Sequence, residues 1–118
     1  MTGDRMRRVD EAVREVLSDA VTKDLKDPRV GFVTVTDVKT SPDLRHARVY
    51  VSVLGTQQER EDSLEGLQSA HGYLQARLGT SLRMKHTPQL EFLYDETAER
   101  ADRLERLLAQ QRRAGGPQ

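Results

Sequence analysis

Residues 47–53 alternate strictly between apolar and polar side chains, and this period of two predicts a strand with one buried face and one wet face. The apolar set is Ala47, Val49, Val51 and Val53, and the polar set is Arg48, Tyr50 and Ser52. The segment Phe32–Val38 is rich in β-branched residues and predicts a second strand. Because the turn sequence Ser41–Leu44 lies between them, we expect an antiparallel pair.

Helical periodicity surrounds this pair of strands. Apolar residues recur at steps of three and four over Arg5–Lys26, and Pro28 is expected to end that helix. Thr56 and Glu59 have the spacing of a capping box and predict the start of a second helix. Helical character resumes beyond Ala70-His71-Gly72. We interpret this tripeptide as a kink between two helices, because glycine inside a helix costs about 1 kcal/mol.

The remaining elements complete a small α+β domain. Pro88 opens a last strand over Leu90–Tyr94, and a closing helix is predicted from about Thr97. The element order is therefore α-β-β-α-α-β-α, which predicts two layers, a three-stranded mixed sheet with helices on one face. The 118 residues suffice for one domain. We expect it to span residues 1–111 and to be followed by a disordered tail over residues 112–118.

The sequence offers little for catalysis or for a membrane. It contains no cysteine, and its three histidines lack the i, i+4 spacing of a helical metal pair. It also has no glycine-rich phosphate loop or nucleophile motif, so we expect no enzyme activity, no cofactor and no metal. The longest apolar runs are far shorter than the ~20 residues of a membrane span. No apolar segment follows the N-terminal arginines, so we expect no signal peptide and a cytoplasmic location.

Charge is balanced over the whole chain but not locally. The sequence has 19 basic and 19 acidic residues, which argues against a uniformly basic nucleic-acid-binding protein. An acidic segment over Glu59–Glu65 is followed by a positive stretch over His71–His86. Each basic cluster alone is typical of a solvated surface, but several clusters on one face would favour phosphate binding. The other basic clusters are Arg5, Arg7 and Arg8; Lys23, Lys26 and Arg29; and Arg45 and Arg48.

An ordered set of motifs connects the chain to a known family. The set consists of Asp27-Pro28-Arg29, Phe32–Val38, Ser41-Pro42-Asp43-Leu44, Ala47–Val53, Ala70-His71-Gly72, Pro88–Phe92 and Asp95. In this order the motifs resemble those of the bacterial ribosome-binding factor A family. The resemblance covers about residues 5–110, nearly the whole chain.

The resemblance implies a single KH-like domain of the second type, with the topology α-β-β-α-α-β and an added C-terminal helix. KH domains usually clamp nucleic-acid backbone with a Gly-x-x-Gly loop, and here Ala70-His71-Gly72 stands in its place. The family's role implies a non-catalytic factor that binds free 30S particles and 16S rRNA, assists 16S rRNA processing and supports cold adaptation. Assembly GTPases are implied as partners in the same pathway, and we expect a monomer.

The residues that contact RNA are inferred from charge and from the kink. The first candidates are His71 and Gly72 at the helix junction with Arg77, Arg83 and Lys85 downstream, followed by Arg45 and Arg48 and then by Arg5, Arg7 and Arg8. Tyr50, on the wet face of its strand, is the tyrosine we would test for base stacking. The alternative is a protein-interaction module that binds a ribosomal protein or an assembly factor without RNA contact. Its surface would be the acidic segment Glu59–Glu65 and the charged C-terminal helix.

Overall fold

Between residues 2 and 115 the chain forms three strands and four helices. The structure is a computed structural model that describes these residues, with the side chains of residues 3–97 and 100–113. Their order confirms the α-β-β-α-α-β-α order that the sequence predicts. The elements are α1 (Thr2–Lys23), β1 (Phe32–Thr40), β2 (His46–Leu54), α2 (Gln57–Ser69), α3 (His71–Leu82), β3 (Gln89–Tyr94) and α4 (Glu96–Gly115).

β2 is the central strand and pairs differently with its two neighbours. It runs antiparallel to β1, which has a bulge between Val35 and Asp37. It runs parallel to β3, with His46 opposite Gln89, because the crossover through α2 and α3 is long enough for a parallel return. The predicted three-stranded mixed sheet is therefore confirmed. We call the end of the sheet where β2 and β3 begin the basic end.

Helices α1, α2 and α3 cover one face of the sheet. The alternation predicted for β2 is confirmed, because its valines are buried while Arg48 and Leu54 on the other face are exposed. The helices meet this face with fully buried leucines, which confirms the two-layer α+β architecture. The core consists of Val13, Leu17, Ala20, Val21, Val35, Val38, Ala47, Val49, Val51, Val53, Leu67, Leu74, Leu78, Leu90 and Phe92.

The predicted capping box starts α2. Thr56 Oγ1 accepts a hydrogen bond from the Glu59 amide at 3.2 Å, and the Glu59 carboxylate accepts one from the Thr56 amide at 3.1 Å. Further along α2, the loop that precedes β1 approaches the helix closely. A Cβ atom on Gly66 would lie 2.7 Å from Val30 Cγ2, so this loop rests directly on the helix backbone.

α4 extends further than the sequence predicts. Its helix continues through Gly115, although a disordered tail was expected over residues 112–118. Gln110–Arg113 are good helix formers, so they give the helix no reason to end at residue 111; residues 116–118 lie outside the described residues. No helix among residues 2–115 is long and apolar enough to cross a membrane. α4 also has three exposed leucines, Leu104, Leu107 and Leu108.

Candidate nucleic-acid interface

A cavity of about 860 Å³ opens at the basic end of the sheet. It lies between the turn that precedes β2 and the segment that joins α3 to β3. The Gln89 amide donates a hydrogen bond to the Arg45 carbonyl at 2.8 Å and holds these two segments together. Three of the cations predicted to contact RNA, Arg45, Arg83 and Lys85, line this one cavity.

Asp43 organises the turn on one side of the cavity. Its Oδ1 atom accepts hydrogen bonds from Ser41 Oγ at 2.6 Å and from the Arg45 amide at 3.1 Å. These bonds, with the Ser41 bond as the largest cause, hold the pKa of the Asp43 carboxyl below its usual value. Leu44 completes the reversal of the chain with a φ of 61°. The carboxylate is thus engaged within the turn, and Arg45 and His46 line the cavity beside it.

Arg83 ends α3 on the other side of the cavity in a conformation that arginine rarely adopts. Its φ is 52° and its ψ is 43°, where glycine is the usual residue at a helix end. The Met84 amide donates to the Gly79 carbonyl at 3.1 Å and closes the helix. A Cβ atom on Gly79 would lie 3.1 Å from Thr87 Cγ2. The segment that carries Arg83 and Lys85 therefore folds back tightly onto α3.

The cations of this cavity are not neutralised by carboxylates. Within the described part of the chain, the exposed side chains of Arg45, Arg83 and Lys85 form no ion pair closer than 4 Å. Asp43 is the single carboxylate among the residues that line the cavity, against these three cations. The surface is therefore net positive and accessible, which is the chemistry that a phosphate backbone requires.

An adjoining cavity carries two further cations along the basic end, and one of them, Lys39, pairs with Asp37 at 3.7 Å. This cavity has a volume of about 500 Å³ and shares His46 and Gln89 with the first cavity. Lys39 and the predicted contact residue Arg48 line it, together with one carboxylate, Glu91. The structure thus brings Arg45 and Arg48 close to the cations that follow α3, although about 35 residues separate them in the chain.

The N-terminal arginines also belong to the basic end, but in more neutral surroundings. The Thr40 amide donates to Asp10 Oδ1 at 2.9 Å and places the first turns of α1 against the end of β1. Arg5, Arg7 and Arg8 lie exposed on these turns. Arg7 lines a smaller cavity in which acidic and basic side chains are equal in number, since Asp10, Glu11 and Asp37 lie there with Arg7, Arg14 and Lys39.

Arg77 lies away from the cavity and joins two helices. Its Nε atom donates to Asp24 Oδ2 at 3.0 Å, and its Nη2 atom donates to Asp19 Oδ2 at 3.2 Å. The Tyr73 hydroxyl also donates to Asp24, at 2.7 Å. The Tyr73 bond first, and then Arg77, lower the pKa of the Asp24 carboxyl. Arg77 is therefore engaged in holding α3 against α1.

The junction between α2 and α3 also lies apart from the cavity. The chain bends at Ala70, which has a φ of −88° and a ψ of 7°. Gly72 lies within α3, and a Cβ atom there would meet nothing within 4 Å, so the bend does not depend on its missing side chain. His71 is exposed, with Nδ1 2.8 Å from the Gln68 carbonyl. Along α3 this junction is about 18 Å from Arg83.

His86 belongs to the positive stretch that the sequence shows, whereas two other residues of the basic end, Lys39 and His46, have no distinct signal in the sequence. His46 and His86 line the larger cavity, and Lys39 lines the adjoining one. The antiparallel pairing of Lys39 with Arg48 and the parallel pairing of His46 with Gln89 bring them together. Among the described residues, no group of histidine and acidic side chains has the arrangement of a metal site.

The sequence matches a known family over nearly its whole length. A family model for ribosome-binding factor A matches residues 5–108. Over 110 residues the chain is 44% identical to ribosome-binding factor A of Natranaerobius thermophilus, covering 93% of this chain and 84% of that relative. Over 112 residues it is 50% identical to the protein of the same name from Anaeromyxobacter sp., covering 94% and 92%.

Solved structures agree with the sequence matches. The crystal structure of ribosome-binding factor A from Thermus thermophilus matches with a TM-score of 0.68 and 30% identity, covering 75% of this chain and 93% of that one. A homology model of the Thermus thermophilus factor, fitted into a cryo-EM map of its complex with 30S, matches with a TM-score of 0.61 and 32% identity, covering 71% and 88%. These neighbours have a KH-like fold, which confirms the predicted fold class. The chain belongs to the ribosome-binding factor A family.

Proposed function

We propose that this chain binds the small (30S) ribosomal subunit and assists maturation of 16S rRNA as a non-catalytic RNA-binding assembly factor. Family membership supports the proposal, as does the similarity to the Thermus thermophilus factor fitted into a 30S complex. The observation that carries it is the basic-end cavity, where Arg45, Arg83 and Lys85 are exposed, form no ion pair closer than 4 Å within the described residues, and face one lining carboxylate, Asp43.

These cations bind phosphates of folded RNA and do not read bases. A guanidinium donates two parallel hydrogen bonds to one phosphate, and an ammonium acts as a compact point charge. Such contacts fix the position of a protein on RNA without sequence information. The chain then favours whichever RNA conformer it binds more tightly, because differential affinity shifts a conformational equilibrium. No covalent step is required for this role.

The same proposal includes the cellular setting. The chain acts as a monomer in the cytoplasm, on free 30S particles rather than whole ribosomes. It works in the pathway of the assembly GTPases and supports 16S rRNA processing and growth in the cold. Binding through the acidic surface of α2 to a ribosomal protein or an assembly factor, without RNA contact, is the competing function.

Co-sedimentation with 30S subunits over a series of salt concentrations tests the proposal. The logarithm of affinity falls linearly with the logarithm of salt, with a slope of about 0.7–0.9 per neutralised phosphate. Removing two phosphate contacts with Arg83→Ala and Lys85→Ala therefore reduces the slope by about 1.5 and the affinity about 20-fold near 0.15 M salt. Lys23→Ala with Lys26→Ala is the matched control, because it removes the same charge from the last turn of α1 and the loop after it.

Three outcomes would contradict the proposal: the first concerns the RNA-binding site, the second the mode of binding and the third the binding partner. Equal 30S affinities of the Arg83/Lys85 variant and of the wild type would exclude the basic-end cavity as the RNA contact. Failure of the wild type to bind protein-free 16S rRNA at low salt, while it still binds 30S particles, would favour the protein-only function. The third outcome is binding of whole ribosomes as tightly as free 30S particles. It would contradict the proposed preference for free 30S particles.

A further inference from the structure

We propose that α4 leaves the position it has beside α2 and docks on an apolar patch of the open sheet face of its own chain. This patch, the far patch, consists of Phe32 and Leu54, which are cross-strand partners at the end of the sheet opposite the basic end. Phe32 is 81% exposed and Leu54 is 74% exposed. Leu54 points away from the buried face because Val53, its neighbour in β2, is in the core. Two large apolar side chains thus stand together in water.

α4 carries a complementary apolar stripe. Leu104, Leu107 and Leu108 have the i, i+3, i+4 spacing that places side chains on one helix face. They are between 46% and 57% exposed. The helix passes α2 beside Arg60, where it lines a small cavity, chiefly with charged and polar residues. In this position the leucine stripe stays about half exposed. The side chains of the far patch are exposed as well.

The connection between β3 and α4 is a single residue with fixed contacts. The Asp95 amide donates to the Val51 carbonyl at 2.8 Å and continues the β2–β3 ladder. Thr36 Oγ1, at the bulge of β1, donates to Asp95 Oδ2 at 2.6 Å. Asp95 is therefore held to both other strands, and a change in the direction of α4 is confined to the peptide units next to Glu96.

The reach of α4 matches the distance to the far patch. With a rise of 1.5 Å per residue, the leucine stripe lies about 13–20 Å from Asp95. Asp95 lies one strand spacing from Val51. Three residues along β2, with one strand spacing for Leu54 and two for Phe32, place Leu54 about 11 Å and Phe32 about 14 Å from Asp95. The next row of the open face is Thr34 and Ser52. Both are uncharged, so they do not repel the charged side chains of α4.

An intramolecular partner is favoured over a second copy of the chain. A helix tethered by one residue has a high effective concentration at a patch within its reach, whereas a second copy must be recruited from dilute solution. Closure buries apolar surface on both the helix and the sheet. The far patch is distant from the basic-end cavity, so this proposal stands independently of RNA binding.

Engineered cysteines test the docked state directly, because the chain has no cysteine of its own. The pair Leu54→Cys and Leu107→Cys is expected to form an intramolecular disulfide, under mild oxidation in dilute protein, at least about tenfold faster than a control pair. The control is Leu54→Cys with Ala109→Cys, which is two residues later in α4 and about 160° around the helix from Leu107. Equal rates for both pairs, or disulfides that form only between two chains, would overturn the proposal.

Hydrogen exchange gives a second measurement without cysteines. Docking protects the amides of the leucine stripe, so Phe32→Ser with Leu54→Ser should raise their exchange rates severalfold. Lys39→Ser with Arg48→Ser is the matched control, because these two residues form a cross-strand pair on the same strands at the basic end. Exchange rates that do not change in the Phe32/Leu54 variant, or that rise equally in the control, would overturn the proposal.

Discussion

Replacing Arg83 by glycine is expected to raise stability and to weaken RNA binding at the same time. The left-handed backbone of Arg83 costs an L-residue about 1–2 kcal/mol. Glycine avoids this cost. Its greater conformational entropy, however, stabilises the unfolded chain by about 0.4–1 kcal/mol. The net result is a gain of about 0.5–1 kcal/mol in the free energy of unfolding, or about 2–5 °C in Tm for a domain of this size.

The same substitution removes one cation from the basic-end cavity. Loss of one phosphate contact lowers 30S affinity about fourfold near 0.15 M salt. Thermal unfolding measures the first effect, and co-sedimentation with 30S subunits measures the second. Arg83→Ala is the matched control, because it loses the same charge but keeps the left-handed cost. If Arg83→Gly is no more stable than Arg83→Ala, or if neither variant binds 30S more weakly than the wild type, the reasoning fails.

Two further predictions concern packing and pH. Gly66→Ala brings a Cβ atom within 2.7 Å of a valine methyl group and should lower the free energy of unfolding by about 1–3 kcal/mol. Gly72→Ala meets nothing within 4 Å and should raise it by about 0.5–1 kcal/mol; equal urea midpoints for the two variants would contradict this packing. Hydrogen bonds from Tyr73 and then from Arg77 lower the pKa of Asp24 in the folded protein. The stability that Asp24 contributes is therefore fully present above about pH 4. It is lost as the pH falls through the lower folded-state pKa. Arg77→Ala should flatten the pH dependence of unfolding below about pH 4, and a urea series with an unchanged profile would argue against that ion pair.

Local patterns were sufficient to predict the order of the elements but not their ends, since α1 ends at Lys23 although its apolar period continues to Lys26. The alternation in β2 and the capping box at Thr56 each depend on residues within one short segment, and both are confirmed. The end of α4 was not predicted. Residues 112–115 were expected to be disordered because they lie near the C-terminus. Their propensity as helix formers was the better guide.

The candidate site depends on pairing between distant segments, which local patterns do not specify. Arg83 and Lys85 were chosen for their charge, and the sequence did not show that Arg45 would lie beside them. Arg77 belongs to the same basic stretch, yet its position on α3 turns it toward Asp19 and Asp24 of α1 and the following loop. The packing of α3 against α1 engages Arg77, whereas the parallel register of His46 with Gln89 brings Lys85 and Arg83 beside Arg45.

That register also determines when a newly made chain acquires the basic-end cavity. The β1–β2 hairpin and both crossover helices are complete before Gln89 leaves the translating ribosome, since synthesis proceeds from the N-terminus. Until β3 takes its place, nothing brings Lys85 next to Arg45. Copies that have not formed β3 therefore lack the cavity, and under the proposed function we expect them not to compete with finished molecules for 30S subunits.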